Sequence, residues 1–349
     1  MIDGSSMLKA LITTGIRMAE SGRVPDPVIR AGMRRAITGR AASLARREPS
    51  AGQTIIDSLG SGPVTEQPGL PNQQHYEVPA ELFEMMLGPR LKYSSCLWEA
   101  STHSLSAAEE AMIRLTAERA GVEDGQRILE LGCGWGSLTI WTAEHFPNSR
   151  ITAVTNSVSQ AAFINQRAMN RGLTGIDVNV ADIARFDTGD RFDRVVSVEM
   201  LEHVRNYREL FRRTSGWLER DGQAFVHVFA HATDPYLYED RGPADWMSRE
   251  FFSGGVMPSH DLFFRFGEDM KVETSWRLSG LHYHKTLEAW LERLDLHRAA
   301  AEDILRDIGD PQPARAVQRW RMFLMACSEL FKYRSGELWG ISHYVLRPR

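Results

Sequence analysis

Arg127-Ile128-Leu129-Glu130-Leu131-Gly132-Cys133-Gly134-Trp135-Gly136 is where this chain commits itself: a short apolar strand runs into glycines at alternate positions, and Ser137 to His145 behind them has the spacing of a helix. A strand that passes through a glycine turn into a helix opens a βα unit of a parallel sheet. Backbone approaches a ligand closely only where no Cβ intervenes, and open α/β sheets bind ligands at the carboxyl ends of their strands. The spacing does not suit a nicotinamide dinucleotide. That ligand asks for the third glycine one place later, at Ser137, and for an acidic residue closing the second strand, which here ends in Thr155-Asn156. A purely structural tight turn stays open.

Working outward, strands and helices alternate on both sides of this turn. Ser106 to Ala120 reads as a helix, Arg150 to Thr155 as a second strand, Ser159 to Arg171 as a helix and Asp177 to Asn179 as a third strand. Phe192 to Ser197 is a fourth strand, Tyr207 to Leu218 a helix, and Gln223 to Phe229 a fifth strand after a turn at Asp221-Gly222. Between His231 and Pro258 the chain turns aromatic and charged, with Tyr236, Tyr238, Trp246, Phe251 and Phe252, which reads as a lid. Beyond it come a strand near Val272 to Leu278, helices over Thr286 to Leu296 and Ala314 to Phe331, and a final strand, Trp339 to Leu346, expected as an antiparallel closing strand at a sheet edge. Upstream, Ser6 to Glu48 reads as two helices parted by Pro25 and Pro27, and Pro49 to Asn72 as a linker. The expected architecture is α/β: a mainly parallel sheet with helices on both faces, an N-terminal helical extension and linker over residues 1–75, and a main domain over 76–349 with the lid at about 231–258.

Composition narrows the function. At 43% hydrophobic and 25% charged, 349 residues can bury a core without staples. Cys96, Cys133 and Cys327 are scattered, so neither a disulfide framework nor a metal site is expected, and a cytoplasmic setting fits best. The first residues show neither a signal peptide nor a membrane span. A formal net charge of −4 argues against a nucleic-acid partner and for a small substrate. Arg30, Arg34, Arg35, Arg40, Arg46 and Arg47 form a local basic patch, either a solvated helix face or a candidate for peripheral contact with an anionic membrane. An oligomer is compatible with the sequence.

Residues after the glycine loop agree with an adenosyl ligand. Asn156 and Gln160 stand at the end of the second strand and one helical turn on, within reach of ribose hydroxyls or an aminoacyl tail. Asp182, beside Ile183 after the third strand, could accept from an adenine amino group. Each has a plainer reading as a helix cap or turn residue.

With these residues in view, the chain resembles the cyclopropane-fatty-acyl-phospholipid synthase superfamily of S-adenosylmethionine-dependent enzymes, and within it the coclaurine N-methyltransferase group. The likeness runs through Lys92-Tyr93-Ser94-Ser95-Cys96-Leu97-Trp98, the glycine loop, Asn156 to Gln160, Val198-Glu199-Met200-Leu201-Glu202-His203, Phe251 to Pro258 and Glu329 to Phe331. It implies a Rossmann-like class I methyltransferase fold with a seven-stranded sheet, S-adenosylmethionine as methyl donor with S-adenosylhomocysteine as product, and no metal. It implies further that Tyr93 and Ser94, with Glu130, Gly132, Gly134 and Gly136, seat the cofactor, and that Glu199, Glu202 and His203 line the methyl-transfer site. The cyclopropanating branch binds bicarbonate through a cysteine, a Glu, a His and a late Tyr; this chain keeps Glu202 and His227 but has Ser95 and Phe323 at the other two positions. Those departures lean toward N-methylation of a small amine.

The chemistry agrees. Methyl transfer is an in-line displacement, and a protonated amine has no lone pair with which to attack; a carboxylate can attract the ammonium and a histidine can take its proton. Glu202 and His203 supply such a pair if both stand in an irregular turn after the fourth strand, since adjacent residues do not share one helix face. The alternatives are a lipid carbon methylase or cyclopropane synthase, and a non-catalytic cofactor-binding protein.

Overall fold

Successive side chains along a strand point to opposite faces, and in this molecule both faces are apolar. The computed structural model describes residues 4–65 and 79–349. Its strands are β1 (Arg127–Leu131), β2 (Arg150–Thr155), β3 (Ile176–Val180), β4 (Phe192–Val198), β5 (Leu218–His231), β6 (Tyr236–Leu237), β7 (Val256–Met257), β8 (Met270–Leu278) and β9 (Trp339–Pro348). Its helices are α1 (Gly4–Glu20), α2 (Asp26–Ala45), α3 (Pro49–Ser58), α4 (Ala80–Met86), α5 (Leu105–Ala120), α6 (Ser137–His145), α7 (Val158–Asn170), α8 (Tyr207–Trp217), α9 (Trp246–Glu250), α10 (Gly280–Leu296), α11 (Arg298–Asp307) and α12 (Pro313–Lys332).

Seven strands make one sheet in the order β3-β2-β1-β4-β5-β9-β8, parallel from β3 through β5. Leu129, Val195, Val226 and Leu346 pack on one face with Tyr207, Leu210 and Phe211 of α8. Their neighbours Ile128, Val196, Phe225 and Val345 pack on the other with Ile113 and Ala117 of α5 and Trp141 of α6. The sheet is therefore covered on both sides, as parallel sheets require.

Two expectations are corrected. The final strand is not at an edge: β9 lies antiparallel between β5 and β8. Trp339 to Leu346 are buried without interruption, whereas Lys271, Glu273, Thr274 and Arg277 of β8 are exposed, so the polar strand takes the edge. The stretch from Pro49 is not all linker, since Pro49 sits in the first turn of α3 and Ile55 and Ile56 of that helix pack on the core. The boundary expected near His75 lies outside the described residues. The aromatics between His231 and Pro258 pack into the molecule. Tyr236, Trp246 and Phe251 are buried, Phe251 stacks on Phe323 of α12 with centroids 4.4 Å apart, and Tyr238 stacks on Phe252 at 5.0 Å.

The N-terminal helices are bound to the rest by charge as well as by packing. Arg30 bridges Glu288 at 2.8 Å and Glu329 at 3.2 Å, Arg34 also reaches Glu329 at 3.2 Å, Arg40 reaches Asp245 at 3.3 Å, and Arg47 donates to the Pro235 carbonyl at 2.6 Å. The basic patch is in large part an internal joint. Its deepest member comes from the other side: Arg321 of α12, 8% exposed, holds Asp26 of α2 at 2.6 Å and Asp295 of α10 at 2.5 Å. Both carboxylates keep contact with solvent, so breaking this bridge costs less than a fully buried pair would. Arg321→Met is expected to lower unfolding free energy by about 1–3 kcal/mol, measured by urea denaturation. An unchanged midpoint would show that apolar packing alone seats α2.

Candidate active site

The carboxyl ends of β1, β2 and β4 converge on a cleft with about 1330 Å³ of empty space, part of it open to solvent. Its floor is the glycine turn. Gly132 has φ +80°, and a Cβ there would stand 2.7 Å from the Met200 side chain; Gly134 has φ +52°, and an added Cβ would meet nothing within 4 Å. Gly136, with φ +76°, is the N-cap of α6 and packs against Ile164 of α7, where a Cβ would lie 2.7 Å from Cγ1. Gly136 does not line the cleft, whereas Tyr93, Ser94, Glu130, Gly132, Gly134, Asn156, Gln160, Asp182 and Ile183 do.

The polar inventory of the walls suits a nucleoside with an amino-acid tail. Buried side-chain atoms without a hydrogen-bond partner include Thr65 Oγ1, Thr116 Oγ1, Trp135 Nε1, Ser137 Oγ and Gln160 Nε2, and each of these residues lines the cleft. Buried polar atoms are seldom left unpaired, so such a set marks a place where a polar ligand completes the bonding. Gln160 is turned this way by Thr155, whose hydroxyl donates to Gln160 Oε1 at 2.6 Å. Glu130 accepts from Thr139 Oγ1 at 2.5 Å, and burial pushes its carboxyl up to about 7. Asp182 Oδ1 accepts the Ala184 N–H at 2.8 Å and so fixes its own turn.

The loop carrying Tyr93 and Ser94 is held from below by a residue that the sequence did not single out. Glu109 of α5, fully buried, accepts the N–H of Arg90 at 2.9 Å and of Lys92 at 3.1 Å. Lys92 is buried as well, donates to the Ser94 hydroxyl and to the Ser95 carbonyl at 2.9 Å, and has its pKa lowered by burial.

On the far wall, β4 ends in Glu199, a non-glycine residue at φ +48°. Such a conformation costs about 1–2 kcal/mol and needs support. The Glu199 N–H donates to the His227 carbonyl at 2.8 Å. Its carboxylate accepts the Ser95 N–H at 2.9 Å and the Tyr283 hydroxyl at 2.6 Å, and His227 Nε2 lies 3.2 Å from the oxygen that Ser95 reaches. Burial raises its pKa, while the Lys92 charge and the donors from Ser95 and Tyr283 pull the other way.

Glu202 and His203 stand in a single 3₁₀ turn, Leu201–His203, as their chemistry demanded. They face different ways. His203 lines the cleft, its ring parallel to Phe252 with centroids 6.4 Å apart, and burial lowers its pKa to about 4. Glu202 is fully buried behind it, accepts the Phe229 N–H at 2.8 Å, and has its pKa driven well above the carboxylate range by burial and then by Glu199. His227 is likewise fully buried and meets the cleft only through Glu199. Among the described residues, no group of His, Cys, Asp or Glu side chains is placed to hold a metal ion.

A profile of mycolic acid cyclopropane synthetases matches residues 66–341. The chain belongs to the mycolic acid cyclopropane synthetase family. Within that family it is similar to (S)-coclaurine N-methyltransferase of Thalictrum flavum subsp. glaucum, 35% identical over 98% of this chain and 97% of that one. A crystal structure of coclaurine N-methyltransferase bound to N-methylheliamine and SAH superposes with a TM-score of 0.92 at 33% identity, covering 97% of this chain and 99% of that chain. The cyclopropane-fatty-acyl-phospholipid synthase of Escherichia coli (strain K12) is 30% identical over 77% of this chain and 66% of its own length. This member of the family is an S-adenosylmethionine-dependent methyltransferase with the class I methyltransferase fold.

The steric argument at the glycine turn is directly testable. Gly132→Ala sets a Cβ against Met200 in a backbone conformation that side chains avoid, and is expected to weaken S-adenosylhomocysteine binding at least tenfold by calorimetry, with about 1–3 kcal/mol of stability lost. Gly134→Ala meets open space and should cost only about 1 kcal/mol of backbone strain. Equal affinity in both variants and the parent would contradict the placement of the ligand over this turn.

Proposed function

We propose that the chain methylates the nitrogen of a small alkaloid-type amine, with Glu199 drawing the ammonium into the cleft and His203 accepting its proton. One observation carries the reading: a buried carboxylate at the cleft wall accepts from Ser95 and Tyr283, and Ser95 and His227, at positions the cyclopropanating branch gives to bicarbonate, both face Glu199. An internal acid at that point suits a cationic amine more than an alkene of a lipid chain.

When bound, S-adenosylmethionine supplies a methyl carbon open to in-line attack. The chain's residues do the rest. Glu130, Asn156 and Gln160, with Tyr93 and Ser94, would take its hydroxyls and aminoacyl end, and Asp182 and Ile183 its base. Glu199 favours the cationic acceptor electrostatically, and more strongly than a solvated carboxylate would, because its surroundings are buried. His203, its pKa lowered by burial, is neutral at physiological pH and so has a free ring nitrogen to receive the proton on its way to solvent. Glu202, buried behind His203, we assign to support of the turn. Cys96, Cys133 and Cys327 are free and buried, which supports the cytoplasm as the setting. Four of the six arginines of the basic patch, Arg30, Arg34, Arg40 and Arg47, are engaged within the chain, which favours a small amine over a lipid surface.

Incubation with methyl-labelled S-adenosylmethionine and a panel of amines, fatty acids and phospholipid vesicles is expected to label the amines. Label in the lipids alone would overturn the proposal. His203→Ala and Glu199→Gln are each expected to lower kcat by about a hundredfold to ten-thousandfold while S-adenosylhomocysteine affinity changes less than about twofold. The parent should show no acid limb near pH 6.5 attributable to His203, and a limb at that pH which disappears in His203→Ala would contradict the low proton affinity described above.

A further inference from the structure

Behind the cleft, four side chains from different elements are joined end to end. Arg119 Nη1 on α5 lies 2.7 Å from His343 Nδ1 on β9, His343 Nε2 lies 3.0 Å from His227 Nδ1 on β5, and His227 Nε2 lies 3.2 Å from Glu199 Oε1 at the end of β4. The sheet builds the row: His227 and His343 are direct partners in the β5–β9 ladder, and His343 and Trp276 are partners in the β9–β8 ladder. Arg119 is seated over the Trp276 ring at 4.3 Å. Both histidines are fully buried.

We propose that Arg119 and His343 are positioning residues that lock the tautomer of His227 and so hold Glu199 as a hydrogen-bond acceptor at the methyl-transfer site. The argument follows from donors alone. A guanidinium donates and never accepts, so the His343 Nδ1 that faces it carries no proton. The His343 proton is then on Nε2 and is donated to His227 Nδ1. That leaves the His227 proton on Nε2, aimed at Glu199 Oε1. The reverse polarity, with a protonated Glu199 donating to His227, would end with a His343 Nδ1–H against an Arg119 N–H, donor against donor. The arginine at one end of the row therefore excludes a proton from the Glu199 oxygen at the other.

The remaining contacts agree. Ser95 N–H and the Tyr283 hydroxyl also donate to Glu199. Burial, reinforced by the Lys92 and Arg119 charges, holds His227 well below its usual pKa, and burial, then His227, Arg119 and Lys92, do the same for His343, so the row is uncharged between its ends. The other titratable groups facing Glu199 are Lys92 from the cofactor loop, Glu202 from the 3₁₀ turn, Tyr283 from α10 and the thiols of Cys96 and Cys327, both kept protonated by burial. The proposal rests on the reading that Glu199 faces the amine, and its first test does not depend on turnover.

In the full chain labelled with ¹⁵N-histidine, NMR is expected to find His227 and His343 as neutral Nε2–H tautomers, and to find that order lost in Arg119→Met. Protonated rings, or an Nδ1–H on His343 in the parent, would overturn the lock whatever the activity. In turnover, Arg119→Met and His343→Phe are expected to lower kcat by about tenfold to a hundredfold, the range that partners of a functional residue typically carry. The acid limb of kcat/KM should move to higher pH, because Glu199 without a fixed donor holds its proton more tightly, and S-adenosylhomocysteine affinity should stay within about twofold. Arg119→Lys and His343→Gln, which keep a donor in place, should recover most of the rate. If His343→Phe fails to fold, Arg119→Met, at a half-buried position, carries the test; a parent-like rate and pH profile there refute the proposal. Ordered tautomers combined with full turnover in Glu199→Gln would leave the lock standing and remove the role of Glu199.

Discussion

A carboxylate buried among donors is the constraint around which this molecule is arranged. Glu199 is held from three sides, by the Ser95 N–H of the loop that carries Tyr93 and Ser94, by His227 of the sheet and by the Tyr283 hydroxyl of α10. Those three sources are far apart in sequence, so the charge can be kept only if the loop, the sheet register and the helical half all assume their places together. Removing a carboxylate from water costs several kcal/mol, and the donors offset that cost only when all are present. The left-handed backbone of Glu199 adds strain at the same point, a combination found where function outweighs local stability.

The helical half serves this arrangement. Tyr283 reaches Glu199 because α10 is fixed against α12 and α2, and Arg321 with Asp26 and Asp295 provides much of that fixation. Arg30, Arg34 and Arg40 of α2, which by composition alone resemble a surface patch, are matched to Glu288 of α10, Glu329 of α12 and Asp245. Charge in this chain is more often a joint between elements than a handle for an outside partner.

Much of the sheet was legible in the sequence because its strands are short apolar runs bounded by turns, and β1, β2 and α6 begin and end where the pattern said. The lining of the cleft was legible too, through Glu130, Gly132, Gly134 and Gln160, since a glycine turn after a strand has few physical uses. The interior position of β9 was not, because antiparallel insertion depends on which strand offers two apolar faces, a comparison between distant segments. For the same reason His343, Arg119 and Tyr283 passed unnoticed: each touches the site only through a register or a helix packing that no local spacing encodes. Sequence order also made Glu202 and His203 look like one pair, whereas the 3₁₀ turn sends one to the cleft and the other into the core, and the acceptor role we propose falls to Glu199, three residues earlier.

We propose that the two acids differ in protonation, and infrared difference spectroscopy measures it directly. Subtracting the spectrum of Glu199→Gln from that of the parent at neutral pH should reveal the antisymmetric stretch of an ionised carboxylate, with the carbonyl band of a protonated acid left to Glu202. A difference spectrum in which Glu199 instead contributes the protonated-acid carbonyl would contradict the account.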